Sequence, residues 1–490
     1  EKLGGALAGD IVEVSFVRRG NYLAGSVIQV LERKRNAFVG ELVKTPIGVV
    51  LRPDNARVYF DFLIVGSPGA PVGHKAVVDV VDWEGRPPKA KVRSVLGKAG
   101  DHDTEMRAIV ASRGFESSFP QPVVDEAGKL YERAWSEEDI KTRRDFRGVT
   151  TLTIDPDTAK DFDDALSFKE LPNNMFEVGI HIADVSHFVT PGSLIDKEAF
   201  KRATSVYLVD RTIPRLPPQL SNDLCSLMPD TDRLTFSAVV RVNSENQVVD
   251  RRFTKGIIKS QRRFTYDEAD ATPSGTSAEL KKEMDRLWQF AEKLRKARKK
   301  AGAIMFDSVE IKPVLNEHGE TVSFEHIEYT NSHKLIEELM LLANREVATY
   351  VSKVLGKKNR VFVYRTHDVP NQEKIEELSI FLRAIGYQLT LPGGNKKVSG
   401  QDINRLLEEI EGTPEEHLIK TATVRSMTKA VYTTKNIGHY GLAFENYGHF
   451  TSPILRYPDL MVHRLLYKVI SGQKVDDDPR VIEQKAVHAS

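Results

Sequence analysis

At 490 residues, with 40% hydrophobic and 28% charged residues, the chain is that of a folded globular protein with room for about three to four domains. Seventy Lys and Arg oppose 69 Asp and Glu, so the net charge of +1 excludes a uniformly basic polyanion binder and leaves any basic surface local. There is no run of 18 apolar residues, no charged-then-apolar leader and only one cysteine, which argues against a membrane span or an internal disulfide and for the cytoplasm.

Val12, Val14 and Phe16 alternate with Glu13 and Ser15, the period of a half-buried strand. Further strand-like runs at 26–31, 38–42, 49–51 and 58–65 are divided by Gly20, Gly25, Gly40, Asp54 and Asn55. They predict a small β-barrel over 1–65. A second block at 76–96, with Trp83 and a turn at 85–88, predicts another barrel over 66–100. There Lys89, Lys91 and Arg93 alternate with Ala90 and Val92. Cations on one strand face beside an exposed aromatic suit an OB-type nucleic-acid-binding barrel. A lysine-protected solvated edge gives the same pattern, and both readings stand. Residues 101–146 read as a connector with a helix near 103–112.

From Arg147 the pattern turns to mixed strands and longer helices. Cys225, within the apolar stretch 224–228, reads as a small buried hydrophobe and not as a nucleophile. Met284, Leu287, Phe290, Ala291 and Leu294 predict a helix over 280–300 whose basic end is a solvated terminus in preference to a phosphate contact. The chain opens on Glu1 and not on Met, as a trimmed sequence would.

The densest local signal is the ten-residue stretch Asp155, Pro156, Asp157, Thr158, Ala159, Lys160, Asp161, Phe162, Asp163, Asp164, with five aspartates and one lysine. Crowded carboxylates oppose folding unless a cation or solvent neutralises them. The stretch lies between strand-like runs at 149–154 and 165–168, which places it on a loop at a sheet edge. A solvated Asx-rich turn is one reading, opposed by the flanking strands and by Phe162, which interrupts the charges as a core anchor. A calcium loop of EF-hand type needs Gly at its sixth position and Glu at its twelfth; Lys160 and Leu166 stand there, so it fails. A magnesium site for phosphoryl chemistry is the third reading, since hard cations take carboxylate oxygens. Spacing leaves the turn and the metal site both open.

The stretch 154–166 resembles the signature of the ribonuclease II/ribonuclease R catalytic domain, the RNB domain. So do 182–186, 203–207, 213–217 (Ile213, Pro214, Arg215, Leu216, Pro217), 220–227, 333–338 and 449–454, in family order across 147–470. The resemblance is nearest to bacterial ribonuclease R. It implies two N-terminal OB-fold, cold-shock-like barrels followed by a connector at 101–146 and an α+β RNB catalytic domain over 147–475. Residues 476–490 would lead toward a family OB domain that this chain does not carry.

The activity so implied is processive 3′→5′ hydrolysis of single-stranded RNA to nucleoside 5′-monophosphates by a two-metal mechanism with Mg²⁺, for which Mn²⁺ can stand in. The implied protein is a monomer, free of membrane, with RNA-decay or ribosome-associated partners. By resemblance Asp155, Asp161, Asp163 and Asp164 become the metal carboxylates, Asp163 being the one the chemistry most depends on. Tyr207 matches the position that stacks on the 3′-terminal base, Tyr266 a tyrosine near the scissile end, and Phe306 a base-clamping aromatic; core packing is the plain alternative for each. On a helix over 333–351, His333, Glu337, Met340 and Asn344 share one face. Glu337 is therefore assigned with them to the terminal ribose or the active-site water, and Glu338 is expected to turn elsewhere. A helix-dipole acid is the alternative.

One position departs from the pattern. After Ser452, Pro453 and Ile454 the family motif continues Arg-Arg-Tyr or Arg-Lys-Tyr; here it continues Leu455, Arg456, Tyr457. The missing arginine is the family residue that holds the scissile phosphate, and losing one such donor lowers rates by about 10²–10³. Arg456 is an RNA-contact candidate, but neighbouring side chains point different ways. The rival reading is a catalytically impaired RNA-binding protein with a relic nuclease core.

Overall fold

The computed structural model describes residues 3–19, 22–271, 280–306, 310–317, 319–356, 360–389 and 398–490. Two compact units are present: Glu1–Phe119 with Leu208–Arg211 and Pro313–Phe324, and Pro120–Tyr207 with Thr212–Lys312 and Glu325–Ser490. No helix among the described residues is long and apolar enough to cross a membrane.

In the first unit β1 (Ile11–Arg19) and β2 (Tyr22–Glu32) form an antiparallel hairpin. Next, β3 (Ala37–Thr45), β4 (Gly48–Pro53), β5 (Phe62–Ile64), β6 (His74–Asp82) and β7 (Lys89–Lys98) close a barrel in the order β3-β4-β5-β7-β6, followed by α1 (His102–Ser112). The boundary expected at 65/66 thus falls inside one barrel, between β5 and β6. The reason is core completion: Phe38, Leu42, Leu51 and Phe62 have one shared interior, and Ala76, Val78 and Ala90 from beyond that boundary fill it. The hairpin leaves Phe16 and Ile28 exposed and has no such interior among the described residues. β5 is shorter than the expected 58–65 because Asn55 accepts from the N–H groups of Arg57 and Val58, holding the chain in a turn. Gly40 is needed where β3 meets β4, since a Cβ there would lie 2.0 Å from the Arg52 carbonyl oxygen.

Trp83 is not an exposed platform. Its ring packs edge-on to Phe38, Phe60 and Phe62, with the Arg33 guanidinium 3.8 Å above it. Of the three strand cations, Lys89 pairs with Asp82 and Arg93 with Asp79 across the β6–β7 ladder.

The second unit is built on a seven-stranded sheet, order β16-β9-β10-β11-β14-β15-β8, taking β8 (Arg144–Asp145), β9 (Thr151–Ile154), β10 (Asp164–Glu170), β11 (Phe176–Ala183), β14 (Asp232–Val242), β15 (Val248–Lys259) and β16 (Arg262–Phe264). The short pair β12 (Val206–Tyr207) and β13 (Thr212–Ile213) stands apart from it. Pairing is antiparallel within the sheet and parallel at its margins, β15 to β8 and β16 to β9. Alternation gives each central strand two characters. Leu166, Phe168, Val178, Ile180, Phe236 and Ala238 enter the main apolar core. Their neighbours Ser167, His181 and Ser237 form a buried polar row, with His181 bonded to both serines at 2.8 Å.

Ahead of the sheet come α2 (Gln121–Arg133) and α3 (Glu137–Lys141); α4 (Val185–Phe188) and α5 (Leu194–Arg202) follow β11, and α6 (Tyr266–Ala271) follows β16. α7 (Lys281–Lys300) and α8 (Asn331–Leu355) supply Met284, Leu287, Phe290, Leu339, Leu342 and Val347 to the core. The helix expected over 280–300 is therefore found, but its basic end is only partly solvated: Arg298 is buried against Glu338. A separate core joins α9 (Gln372–Ala384), α10 (Gly400–Glu409) and α11 (Glu416–Ser426). α12 (Tyr457–Ile470) and α13 (Pro479–His488) end the chain.

Candidate active site

β9 ends at Ile154 and β10 begins at Asp164, so the aspartate stretch connects two neighbouring strands at one end of the sheet. The loop is tied at several points. The Asp155 N–H donates to the Phe264 carbonyl at 3.0 Å, and an Arg263 Nη donates to the carbonyls of Pro156 and Asp157 at 2.8 Å each. The Ser226 hydroxyl donates to the Lys160 carbonyl at 2.8 Å and accepts from the Phe162 N–H at 3.0 Å. Phe162 is buried, the anchor its place among the charges suggests. Asp157 and Lys160 face solvent, whereas Asp155 and Asp163 are buried and Asp161 and Asp164 half-buried.

Burial pushes the Asp155 carboxyl up to about 6 against the pull of the Thr153 hydroxyl and of Arg263. It raises Asp163 well above the ordinary range, and it raises Asp164 to about 8 with help from the charge of Asp155. Asp163 Oδ1 accepts from the Ile454 N–H at 2.8 Å, but its Oδ2, like Asp155 Oδ2, is buried with no hydrogen-bond partner among the described residues. Buried carboxylate oxygens without donors are unfavourable alone and are the atoms a hard divalent cation takes. The donor set fits such an ion. It is not gathered as expected, however: among the described residues no three His, Cys, Asp or Glu side chains stand close enough to hold a metal. The Ile454 N–H fixes one oxygen of Asp163 at 2.8 Å and the Tyr207 hydroxyl fixes one oxygen of Asp161 at 3.0 Å.

Tyr207 is 57% exposed, its ring available to a base while its hydroxyl is spent on Asp161. Tyr266 opens α6 beside the aspartates; burial raises its phenol, and the charges of Asp164 and Asp155 raise it further. One face of its ring is covered by His333, stacked at 3.7 Å and 8°. Phe306 is half-buried and packs on the α9–α11 core.

Glu337 does follow His333 by one turn, yet it accepts from Arg295 and Arg298 at 3.1 Å each and from the Tyr329 hydroxyl. Glu338 does not turn elsewhere, since the same Arg298 guanidinium bonds both acids. Asn344 instead accepts from the Phe450 N–H at 2.7 Å, fixing the start of the 450–456 segment. The contributions of Arg295, Arg298 and Arg263 are not legible in the sequence because they enter from distant segments, and Tyr329, eight residues before Glu337, carries no motif of its own.

Arg456 donates two bonds to Asp459, at 2.9 and 2.8 Å, and Asp459 also accepts from the Ser452 N–H at 2.8 Å. Arg456 thus secures the turn. Leu455 is half-buried, and its carbonyl accepts from the Ser205 N–H at 2.9 Å. Cys225 is buried and burial pushes its thiol far up, as suits an inert core residue.

The RNB domain matches residues 143–472 and the cold shock domain 51–120. Ribonuclease R of Thermotoga maritima is 36% identical over 499 residues, covering 98% of this chain and 69% of that protein. The chain belongs to the ribonuclease R family. Membership makes it an exoribonuclease of a divalent-metal-dependent kind, with a cold-shock domain ahead of an RNB domain. It spans 59% of the length of Ribonuclease R 1 of Lactococcus lactis. The structure of Mycoplasma genitalium RNase R in complex with ribose-methylated single-stranded RNA superimposes with a TM-score of 0.89 at 26% identity, over 100% of this chain and 78% of that one. Yeast Ssd1, described as a pseudonuclease, shares the fold with a TM-score of 0.76 at 19% identity, over 99% of this chain and 67% of that one.

Proposed function

We propose that this chain hydrolyses single-stranded RNA from its 3′ end, releasing nucleoside 5′-monophosphates, with Mg²⁺ held by Asp155, Asp161, Asp163 and Asp164. The observation that carries this reading is the pair of buried oxygens, Asp155 Oδ2 and Asp163 Oδ2, at the two ends of one stretch at the sheet end, neither with a hydrogen-bond partner among the described residues. A divalent cation there would supply an activated water and neutralise charge on the leaving oxygen.

The chain's own residues do the rest. Tyr207 offers an exposed ring to the 3′-terminal base, a contact any sequence can make. Tyr266, backed by His333, narrows the approach beside the aspartates. Glu337, held by two arginines and Tyr329, is assigned to the terminal ribose, where a 2′-hydroxyl separates RNA from DNA. Arg456 keeps its role as an RNA-contact residue in part only, because Asp459 takes the edge formed by its Nε and one Nη.

One observation favours a second reading, RNA binding with an impaired nuclease: Leu455 stands where the family motif has arginine. Incubating a 5′-labelled oligoribonucleotide with Mg²⁺ separates the two. A ladder ending in a short limit product, abolished by EDTA and by Asp163→Asn while that variant still binds RNA, supports hydrolysis. Intact RNA with binding retained supports the second reading, and cleavage that survives EDTA overturns the first.

A further inference from the structure

Arg215 is the largest fully buried side chain among the described residues, at 0% exposure. A guanidinium out of water normally faces a carboxylate, because an uncompensated buried charge is strongly unfavourable. This one gives its side-chain hydrogen bonds to peptide carbonyls, while the charge of Asp163 acts on it without a bond. Its Nε donates to the Ile454 carbonyl at 3.2 Å, one Nη donates to the Pro453 carbonyl, and the other Nη has no partner among the described residues. Burial lowers its pKa to about 10, so it still carries its charge at neutral pH.

The bonds around it form a closed set. The Arg215 N–H donates to the Ser205 hydroxyl at 3.0 Å, and the Ser205 N–H donates to the Leu455 carbonyl at 2.9 Å. The segment 453–455 is thereby held from two sides. Its output is a single hydrogen bond: the Ile454 N–H donates to Asp163 Oδ1 at 2.8 Å. The carbonyl of Pro453 and the N–H of Ile454 belong to one peptide unit. A cation on that carbonyl polarises the unit and strengthens its N–H as a donor. Positive charge thus reaches Asp163 Oδ1 through a peptide, while Asp163 Oδ2 has no hydrogen-bond partner among the described residues. The two arginines near this segment divide their work, since Arg456 is occupied by Asp459 and Leu455 brings no charge.

We infer that Arg215 is a positioning residue for divalent-cation binding, which fixes and polarises the Pro453–Ile454 peptide so that Asp163 presents its second oxygen to the ion. The inference rests on Asp163 being a metal ligand, as proposed above. It concerns the ion's affinity, and so is measurable without RNA. Groups that orient metal ligands from behind typically change affinity about 10–100-fold when removed.

The test is Mn²⁺ titration calorimetry on the full chain and on Arg215→Met and Arg215→Lys, with thermal unfolding as the check on folding. Methionine fills the volume of the stem without donors. Arg215→Met should bind Mn²⁺ about tenfold more weakly and lower kcat, with the KM for RNA little changed. Arg215→Lys, able to hold one carbonyl, should fall between. A folded Arg215→Met whose Mn²⁺ affinity drops less than about threefold, or whose defect is confined to KM, overturns the inference. Should Arg215→Met not fold, Arg215→Lys is judged on the same threshold. A wild-type chain that binds Mn²⁺ but leaves RNA intact would defeat the hydrolytic reading alone, with the comparison of affinities still deciding the role of Arg215.

Discussion

Leu455 concentrates the functional question in one side chain. Its backbone is already held by the Ser205 N–H, so exchanging the side chain leaves the segment's hydrogen bonds in place. A guanidinium at this half-buried position would add a charged donor for phosphoryl oxygens. Leu455→Arg should therefore raise kcat by an amount on the order of 10², with a much smaller gain in RNA affinity measured in EDTA. An unchanged kcat would mean the position does not meet the phosphate. Tyr207 can be tested by splitting ring from hydroxyl, because only the hydroxyl touches Asp161. Tyr207→Ala should raise the KM for RNA about tenfold, the worth of one base stack, whereas Tyr207→Phe should keep the KM and change only what depends on Asp161. Equal KM defects in the two variants would assign the role to the hydroxyl and remove the stacking.

The elements show what sequence pattern conveys and what it leaves out. α7 was legible because Met284, Leu287 and Phe290 recur at helical spacing, and all three reach the core. The barrels were legible as strands but not as barrels: period-two alternation marks which face is inward, and says nothing of which strands share an interior. Hence two expected barrels became one barrel and a hairpin. The surroundings of Glu337 were hidden for a different reason, since Arg295 and Arg298 lie about forty residues earlier and only tertiary packing joins them. The polar row on the central strands joins residues 14 and 56 positions apart and has no motif in the sequence, yet it makes stability depend on pH. Burial, reinforced by Arg144, lowers His181 from 6.5 to about 3, so the native sheet holds it neutral. The unfolded chain takes up the proton first, near its ordinary pKa. The stability this contributes is complete above about pH 6.5 and is lost as the pH falls from there toward 3. At pH 5 the loss is about 2 kcal/mol, read as a lower urea midpoint than at pH 7. His181→Gln should lessen that difference by about the same amount, and a variant with the full wild-type slope would show that other groups carry it.

For the whole molecule, the motif order across 147–470 was enough to anticipate the family, and the aspartates named from it do share one end of one sheet. Sequence could not say that Asp161 and Asp163 each have a protein donor, because Tyr207 and Ile454 approach from 46 and 291 residues away. That arrangement has a measurable thermodynamic side. Folding buries Asp155 and Asp163, each with an oxygen that no described residue partners, which works against the native state. An ion that binds only the folded arrangement offsets this by RT ln(1 + [L]/Kd), about 2.7 kcal/mol when the free ion stands at a hundred times its Kd. With two compact units the chain need not unfold in one step, so the shift belongs to the transition of the unit that carries the aspartates. Calorimetric scans with Mn²⁺ should move that transition upward. Asp155→Asn and Asp163→Asn should each abolish most of the movement, because an amide oxygen carries no full charge to the ion. Comparable shifts in wild type and both variants would place the ion elsewhere and leave the loop as a buried acidic turn.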